Sequence, residues 1–176
     1  MQRLKEHLNE EAMVVKQTRF FGAGTEPGSA VRQGCKPTAY LIGDQPVPPS
    51  SLRVYLLVRA GFALTDVKAM ISSSALYSDA GILKRVVGWS ARTIQRRSGE
   101  SSEARLNAQQ SAIAFHYAQV LEHAIAVFGS QLQAEAWLGW PCRHLEGYVP
   151  LDMVENAVGF QIVEAYLQRV EMGVYQ

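Results

Sequence analysis

The feature that most constrains this chain is the apolar load of its C-terminal segment, residues 134–176. The segment predicts a short helix, an irregular aromatic-rich loop and a longer amphipathic helix. So short a piece cannot bury this many apolar side chains in a core of its own. We therefore expect the surface to pack partly on the rest of the chain and partly on a partner. The residues concerned are Trp137, Trp140, Leu145, Tyr148, Val149 and Leu151.

Composition and charge indicate a folded protein with two kinds of partner. The 176 residues are 48% hydrophobic and 19% charged, which is typical of one soluble domain or two small ones. Residues 84–105 carry six basic and two acidic side chains, whereas residues 130–176 carry two basic and six acidic ones. A basic middle and an acidic end predict two different partners, the first of them a polyanion.

Cysteine usage and the apolar runs predict a cytoplasmic location. Cys35 and Cys142 form no CxxC pair, so we expect two free thiols. The longest apolar run, VYLLV at residues 54–58, is too short to span a membrane. The chain starts with the polar stretch MQRLKEHLNEE rather than with a hydrophobic signal sequence.

The first fifty residues predict little regular structure. Residues 1–16 can form one marginal helix, and residues 22–50 carry five glycines and five prolines. This composition predicts a flexible extension. An extension without a specific role is the simpler interpretation, and an arm that grips DNA or a partner is the alternative. Such an arm would use Lys16, Arg19, Arg32 and Lys36.

Residues 51–129 predict a series of helices separated by serines and glycines. Ser50 and Ser51 can cap the first helix, which Gly61 closes, and Thr65 can cap the second. The series continues with a helix from about Asp79 to Gly88, a short helix over residues 91–97, and a long helix over residues 106–128 that Gly129 ends. We expect the long helix to be the spine of the molecule.

Residues 79–97 have the order helix, glycine turn and short basic helix, which is the pattern of a helix-turn-helix. In that motif arginine can hold guanine, glutamine can hold adenine, and hydroxyl groups can hold bases or phosphates. The alternative is that these charges merely solvate an exposed helix face. The shortness of the helix and its lack of acidic residues favour DNA binding. The candidate DNA-binding residues are Ser90, Arg92, Thr93, Gln95, Arg96 and Arg97.

Patterns for catalysis or metal binding are weak. The sequence has no Walker-type loop, no GxGxxG and no HExxH. Cys142 and His144 stand close in sequence, but nothing identifies the third group that would orient a catalytic base. His116 and His123 lack a third ligand nearby and are expected to be ordinary polar-face or packing residues rather than a metal site. We therefore expect neither an enzyme nor a cofactor or metal.

Several landmarks between about Leu57 and Tyr175 match the pattern of a known family. The first are LVRAGF at residues 57–62, WSARTIQRR at residues 89–97 and AIAVFG at residues 124–129. The C-terminal block is the most specific part, and its matching positions are Trp137, Leu138, Leu145, Gly147, Pro150, Leu151, Asp152, Gly159, Gly173, Val174 and Tyr175. On these landmarks the chain resembles antitoxins of the Xre/MbcA/ParS type.

The resemblance implies an all-α protein in three parts. A flexible extension over residues 1–50 would precede an Xre-like helix-turn-helix DNA-binding domain over residues 51–129 and a helical toxin-binding domain over residues 130–176. The implied function is to neutralise a RES-domain toxin that consumes NAD by covering its active site, and to repress the operon by binding operator DNA. A homodimer within a hetero-oligomeric toxin–antitoxin complex is also implied. The implied toxin contacts are Trp140, Arg143, Arg169, Glu171, Tyr175 and Gln176.

Two features depart from the family pattern, and other functions stay open. SAIAFHYA at residues 111–118 stands where family members often have Arg-Leu, and the proline-rich first fifty residues have no counterpart. The residues after Gly173 are expected to press into the toxin's cleft, or else to fold back on the chain's own core. A plain helix-turn-helix transcriptional regulator with a C-terminal dimerisation domain is the main alternative function. An enzyme built around Cys142 is a more distant one.

Overall fold

Helices form the regular structure of the protein in a computed structural model, which describes residues 36–43, 50–88, 92–93 and 104–173. The predicted all-α fold is confirmed for these residues, where the pairing of extended backbone is limited to a bridge between Ala63 and Arg105. The helices are α1 (Ala39–Ile42), α2 (Ser51–Ala60), α3 (Leu64–Ser72), α4 (Ala75–Asp79), α5 (Ile82–Val87), α6 (Ala108–Phe128), α7 (Gln131–Leu138), α8 (Pro150–Met153) and α9 (Ala157–Glu171), with a 3₁₀ turn at Arg143–Leu145.

The long helix α6 is the spine, as the sequence predicted. Asn107 and Gln110 form a capping box at its start, and Gly129 ends it in the left-handed conformation at φ 79°. Tyr117 and Leu121 are fully buried, and α2, α5, α7 and α9 all pack against α6. The helices before and after residue 129 therefore contribute to one hydrophobic core.

Helix α2 has the predicted ends. The Ser50 hydroxyl accepts the backbone N–H of Arg53, and Gly61 follows the last turn at φ 84°. A side chain at Gly61 would also overlap the Leu106 carbonyl, so both its backbone conformation and the close approach require glycine. The residue after it, Phe62, donates its backbone N–H to the buried Ser111 hydroxyl at 3.0 Å.

Two predicted helix starts are wrong. Thr65 does not cap α3, which begins at Leu64 with Ala63 at the N-cap position, and the Leu64 N–H donates to the Ala104 carbonyl at 2.7 Å. Asp79 does not begin α5; it ends α4, and a left-handed Gly81 at φ 64° separates the two helices. The predicted end of α5 at Gly88 is confirmed.

Part of the predicted flexible extension is structured. Residues 36–43 contain α1, which packs on α3. Thr38 joins the start of α1 to α6, where the Glu122 carboxylate accepts the backbone N–H and the hydroxyl of Thr38. Lys36, one of the candidate arm residues, lies 3.4 Å from the same carboxylate. A tertiary contact thus orders a stretch whose composition predicted no regular structure. Residues 1–35, with the predicted first helix and Cys35, lie outside the described residues.

The C-terminal segment has the predicted order of short helix, loop and longer helix. Helix α7 leads into a loop that contains the 3₁₀ turn, and α8 and α9 follow. The loop is anchored by its apolar side chains, since Cys142 and Leu145 are buried. Among the helices described, none has the length and apolar character needed to cross a membrane.

Candidate protein-binding surface

Helix α9 is held in place by its inner face. Gly159, Val163 and Leu167 recur at intervals of four residues and are buried. The Asn156 side chain caps the helix by accepting the Gly159 N–H at 2.9 Å. One side of α9 is therefore fixed in the core, and the opposite side faces outward.

Gly159 allows α9 to start close to α8. A Cβ at this position would overlap the Met153 carbonyl oxygen and stand 2.8 Å from its carbon. Both of these atoms belong to the backbone, so a side chain could be accepted only if α8 and α9 moved apart. This contact gives a physical reason for the glycine in the C-terminal block.

Polar and aromatic contacts fix α9 along α6. The His123 ring lies 2.8 Å from Glu164 through Nδ1 and 3.5 Å from Glu171 through Nε2. About two helical turns earlier on α6, His116 stacks on Phe160 with ring centroids 4.1 Å apart. Burial lowers the pKa of His116. Both histidines are thus packing residues between α6 and α9, as the sequence predicted.

A stack of aromatic rings joins α9 to α7 and the loop. Trp137 lies against Phe128 at 5.3 Å and parallel to Tyr166 at 5.5 Å between ring centroids. On Tyr166 lies the His144 ring at 5.7 Å, and the Arg169 guanidinium is 5.9 Å from the Tyr166 centroid. The stack explains how an irregular loop can have a defined position.

Large apolar side chains remain exposed on the outer side of this framework. On α9 the exposed fractions are 67% for Val158, 43% for Ile162 and 73% for Met172, just beyond the last turn. On α7 and the loop, Leu132, Trp140 and Tyr148 are 70%, 56% and 63% exposed. Large apolar side chains at the surface are typical of sites that bind a protein partner.

The sequence predicted some of these surface residues and missed others. Trp140 and Arg143 are exposed on the loop, and Arg169 is exposed over Tyr166. Glu171 is exposed but lies beside His123, away from the Tyr166 stack. The other two predicted contacts, Tyr175 and Gln176, lie outside the described residues. The exposed apolar side chains of Val158, Ile162 and Met172 were missed, although the four-residue spacing of Val158 and Ile162 was a signal.

The candidate DNA-binding residues are only partly described. Arg92 is exposed and Thr93 half-buried, and both are helical. Ser90, Gln95, Arg96 and Arg97 lie outside the described residues. The helix before them is fixed at its end, because the Gln110 side chain donates to the Val87 carbonyl at 2.7 Å.

The basic middle and the acidic end of the chain meet at one point. Arg85 lies 2.6 Å from Asp152 and 3.3 Å from Glu155, and its hydrogen bond to Asp152 raises the pKa of Arg85. The two regions that the sequence assigned to separate partners therefore partly neutralise each other. Arg85 joins α5 to the α8–α9 corner.

Cys142 and His144, the two side chains considered for catalysis, both pack against other residues. The residue Cys142 is 8% exposed and belongs to the core, and the His144 ring lies on Tyr166. Burial raises the pKa of Tyr117 to about 12, and Tyr77 donates its hydroxyl to the Tyr117 carbonyl at 2.8 Å. Within the described ranges, no three His, Cys, Asp or Glu side chains converge to hold a metal ion.

A helical framework with a buried inner face and exposed large apolar side chains is typical of a protein-binding module. Residues 123–173 match the sequence model of the antitoxin Xre/MbcA/ParS C-terminal toxin-binding domain. The match covers the last part of α6 and all of α7, α8 and α9, and a search of curated proteins found no match. The family match supports an antitoxin role, with a toxin as the partner.

Proposed function

We propose that this protein is the antitoxin of a type II toxin–antitoxin system and that its partner is a RES-domain toxin that consumes NAD. One observation carries the proposal. The residues that match the toxin-binding family, 123–173, include the exposed apolar side chains of α9, α7 and the loop. A binding function that is read from sequence and a surface suited to binding fall on the same part of the chain.

The antitoxin neutralises the toxin by covering its active site. Such a mechanism needs no recognition of NAD, because a rigid helical surface placed over the cleft is enough to exclude the substrate. The inner-face contacts of α9, among them Gly159 on Met153 and His123 on Glu164, supply that rigidity. Binding by a preformed surface also avoids the entropic cost of ordering a flexible segment.

The same protein represses its operon through residues 51–129, with the helix-turn-helix of residues 79–97 as the reader of operator DNA. Arg85 and Gln110 support this role, since they hold the helix that leads into the reader. We expect Arg96→Ala with Arg97→Ala to abolish operator binding and to leave toxin binding intact. Unchanged operator affinity with an unchanged salt dependence would remove this helix from the proposal.

Co-expression with the product of the adjacent reading frame tests the toxin-binding function. We expect that product to arrest growth and deplete cellular NAD when it is expressed alone. Together with this chain it should form a stable hetero-oligomer that contains an antitoxin homodimer, and growth should resume. If the chain dimerises and binds DNA but neither binds the neighbouring product nor relieves growth arrest, a plain transcriptional regulator describes it better.

A further inference from the structure

We propose that the toxin docks on the outer face of α9, defined as Val158, Ile162, Arg169 and Met172. The matching toxin surface would be apolar and would carry a carboxylate opposite Arg169. This inference rests on the proposed function and deepens it, because it assigns the contact to one face of one helix. It also differs from the contacts that the sequence implied, of which Arg169 alone belongs to this face.

The four residues of the outer face share one side of the helix. Their intervals of four, seven and three residues bring each side chain back to nearly the same direction. From Val158 to Met172 the face extends about 21 Å along the axis, at the rise of an α-helix. A continuous row of this length is enough to fill a groove on a partner protein.

The outer face contributes little to anchoring α9 in the core. The residues that anchor α9 are Gly159, Val163 and Leu167 on the opposite side, all of them buried. Val158 and Met172 are 67% and 73% exposed, so their apolar surface gains almost nothing from folding. Burial of these side chains in a complex would explain why the free chain exposes them.

The charges of α9 are sorted between its two sides. Its acidic residues, Glu164 and Glu171, both lie beside His123 on α6. The outer face, which lies wholly within the described residues, has Arg169 as its charged residue and no acid. Tyr166 supports the Arg169 guanidinium from one side, so the cation is held in place.

This sorting of charge favours a toxin over a second copy of the chain as the occupant. Two outer faces packed against each other would bring Arg169 to a surface without a carboxylate, and in one alignment to the other Arg169. A partner with an acidic group in an apolar surround would instead pair with Arg169 when both are desolvated.

The test measures the affinity of the full chain for the purified RES-domain product of the adjacent reading frame by calorimetric titration. We expect the double variant Val158→Glu with Ile162→Glu to weaken the dissociation constant roughly 100-fold, since it places two charges in an apolar contact. Arg169→Gln should weaken it roughly 10-fold and Arg169→Glu further. The matched control is Leu52→Glu on α2. Leu52 is as exposed as Val158, at 67%, and its substitution should leave the affinity for the toxin unchanged.

Folding is checked on the same samples by thermal unfolding. Glu at position 158 falls in the first turn of α9, where the helix dipole favours a negative charge, so the variants should keep their fold. Should the double variant unfold, Val158→Ala with Ile162→Ala replaces it, with an expected weakening of about 10-fold.

Three results would overturn the assignment. The first is a folded double variant that binds within about threefold of the wild-type chain, a change too small for two central contacts. The second is a change in oligomeric state, measured by light scattering, with toxin affinity unchanged; a second copy would then occupy the outer face. If the wild-type chain itself does not bind the neighbouring product, the proposed function fails, and the docking inference fails with it.

Discussion

Helices α2 and α9 both expose apolar side chains, but only α9 is anchored by buried residues. On α2, Leu52, Tyr55 and Leu56 are 67%, 57% and 52% exposed, and the helix has no buried residue. It packs on α6, and its side chains against the core, those of Leu57 and Val58, are only half-buried. Helix α9 combines an exposed outer face with a buried inner one.

The comparison teaches that exposure alone does not identify a binding surface. An exposed apolar face on a fixed helix is preformed, so a partner can bind it with little ordering cost. The α9 face also lies within the family match, whereas α2 lies outside it. Our proposal therefore places toxin binding on α9 rather than on α2. Variants that loosen the inner face of α9 test whether its anchoring matters.

The largest expected effect is that of Gly159→Ala, because its methyl group would overlap the Met153 backbone. We expect the free energy of unfolding to fall by about 3 kcal/mol or more, measured by urea denaturation. The control is Gly139→Ala, whose methyl group would meet the flexible Leu76 side chain at 3.0 Å. Its expected cost is about 1 kcal/mol or less. Equal losses for the two variants would mean that α8 and α9 can move apart freely.

Truncation of a buried leucine on α9 should cost more than truncation of an exposed leucine on α2. Leu167→Ala removes a fully buried side chain and should lower the free energy of unfolding by about 3 kcal/mol. Leu56→Ala removes one that is 52% exposed and should change it by about 0.5 kcal/mol or less. Both values come from urea denaturation at one pH. A large loss for Leu56→Ala would show that α2 contributes more to the core than its exposure indicates.

The salt bridge at the α8–α9 corner should contribute modestly. Arg85→Gln removes the contacts with Asp152 and Glu155, which are partly exposed to solvent. We expect a loss of about 0.5–1 kcal/mol at low salt and less at high salt. A double-mutant cycle with Asp152→Asn measures the coupling. A coupling energy of zero at low salt would show that this pair does not hold the corner.

The smallest expected effect is a change in pH dependence through His116. Burial lowers its pKa from the ordinary value of 6.5, so the unfolded chain binds a proton more readily than the folded one. The free energy of unfolding should therefore fall as the pH drops below 6.5. His116→Phe keeps a ring against Phe160 and should remove part of this acid sensitivity. Urea midpoints measured above and below that pH should then differ less in the variant, and an unchanged difference would assign the sensitivity to other groups.

Local chemistry in the sequence predicted much of the fold. Ser50, Gly61, Gly88 and Gly129 mark helix ends through capping and left-handed backbone, which depend on neighbouring residues alone. The start of α3 was not predictable in this way, because Ala63 at its N-cap offers no capping side chain and the Leu64 N–H donates to the distant Ala104 carbonyl instead.

The orientation of α9 was the part of the site that the sequence could not settle. Val158 with Ile162 and Gly159 with Val163 have the same four-residue spacing, so periodicity allows either pair to face the core. In the folded chain Gly159 and Val163 are the buried pair, with Gly159 against the Met153 backbone, a close approach that periodicity does not report. The class of partner came instead from the C-terminal block, whose resemblance is supported by the family match over residues 123–173.

Hydrogen–deuterium exchange of the chain alone and in complex with the RES-domain protein tests the central claim most directly. We predict that the complex protects the backbone amides of residues 158–172 while those of α2 exchange at an unchanged rate. Protection of α2, with the exchange of α9 unaltered, would contradict the assignment of toxin binding to α9.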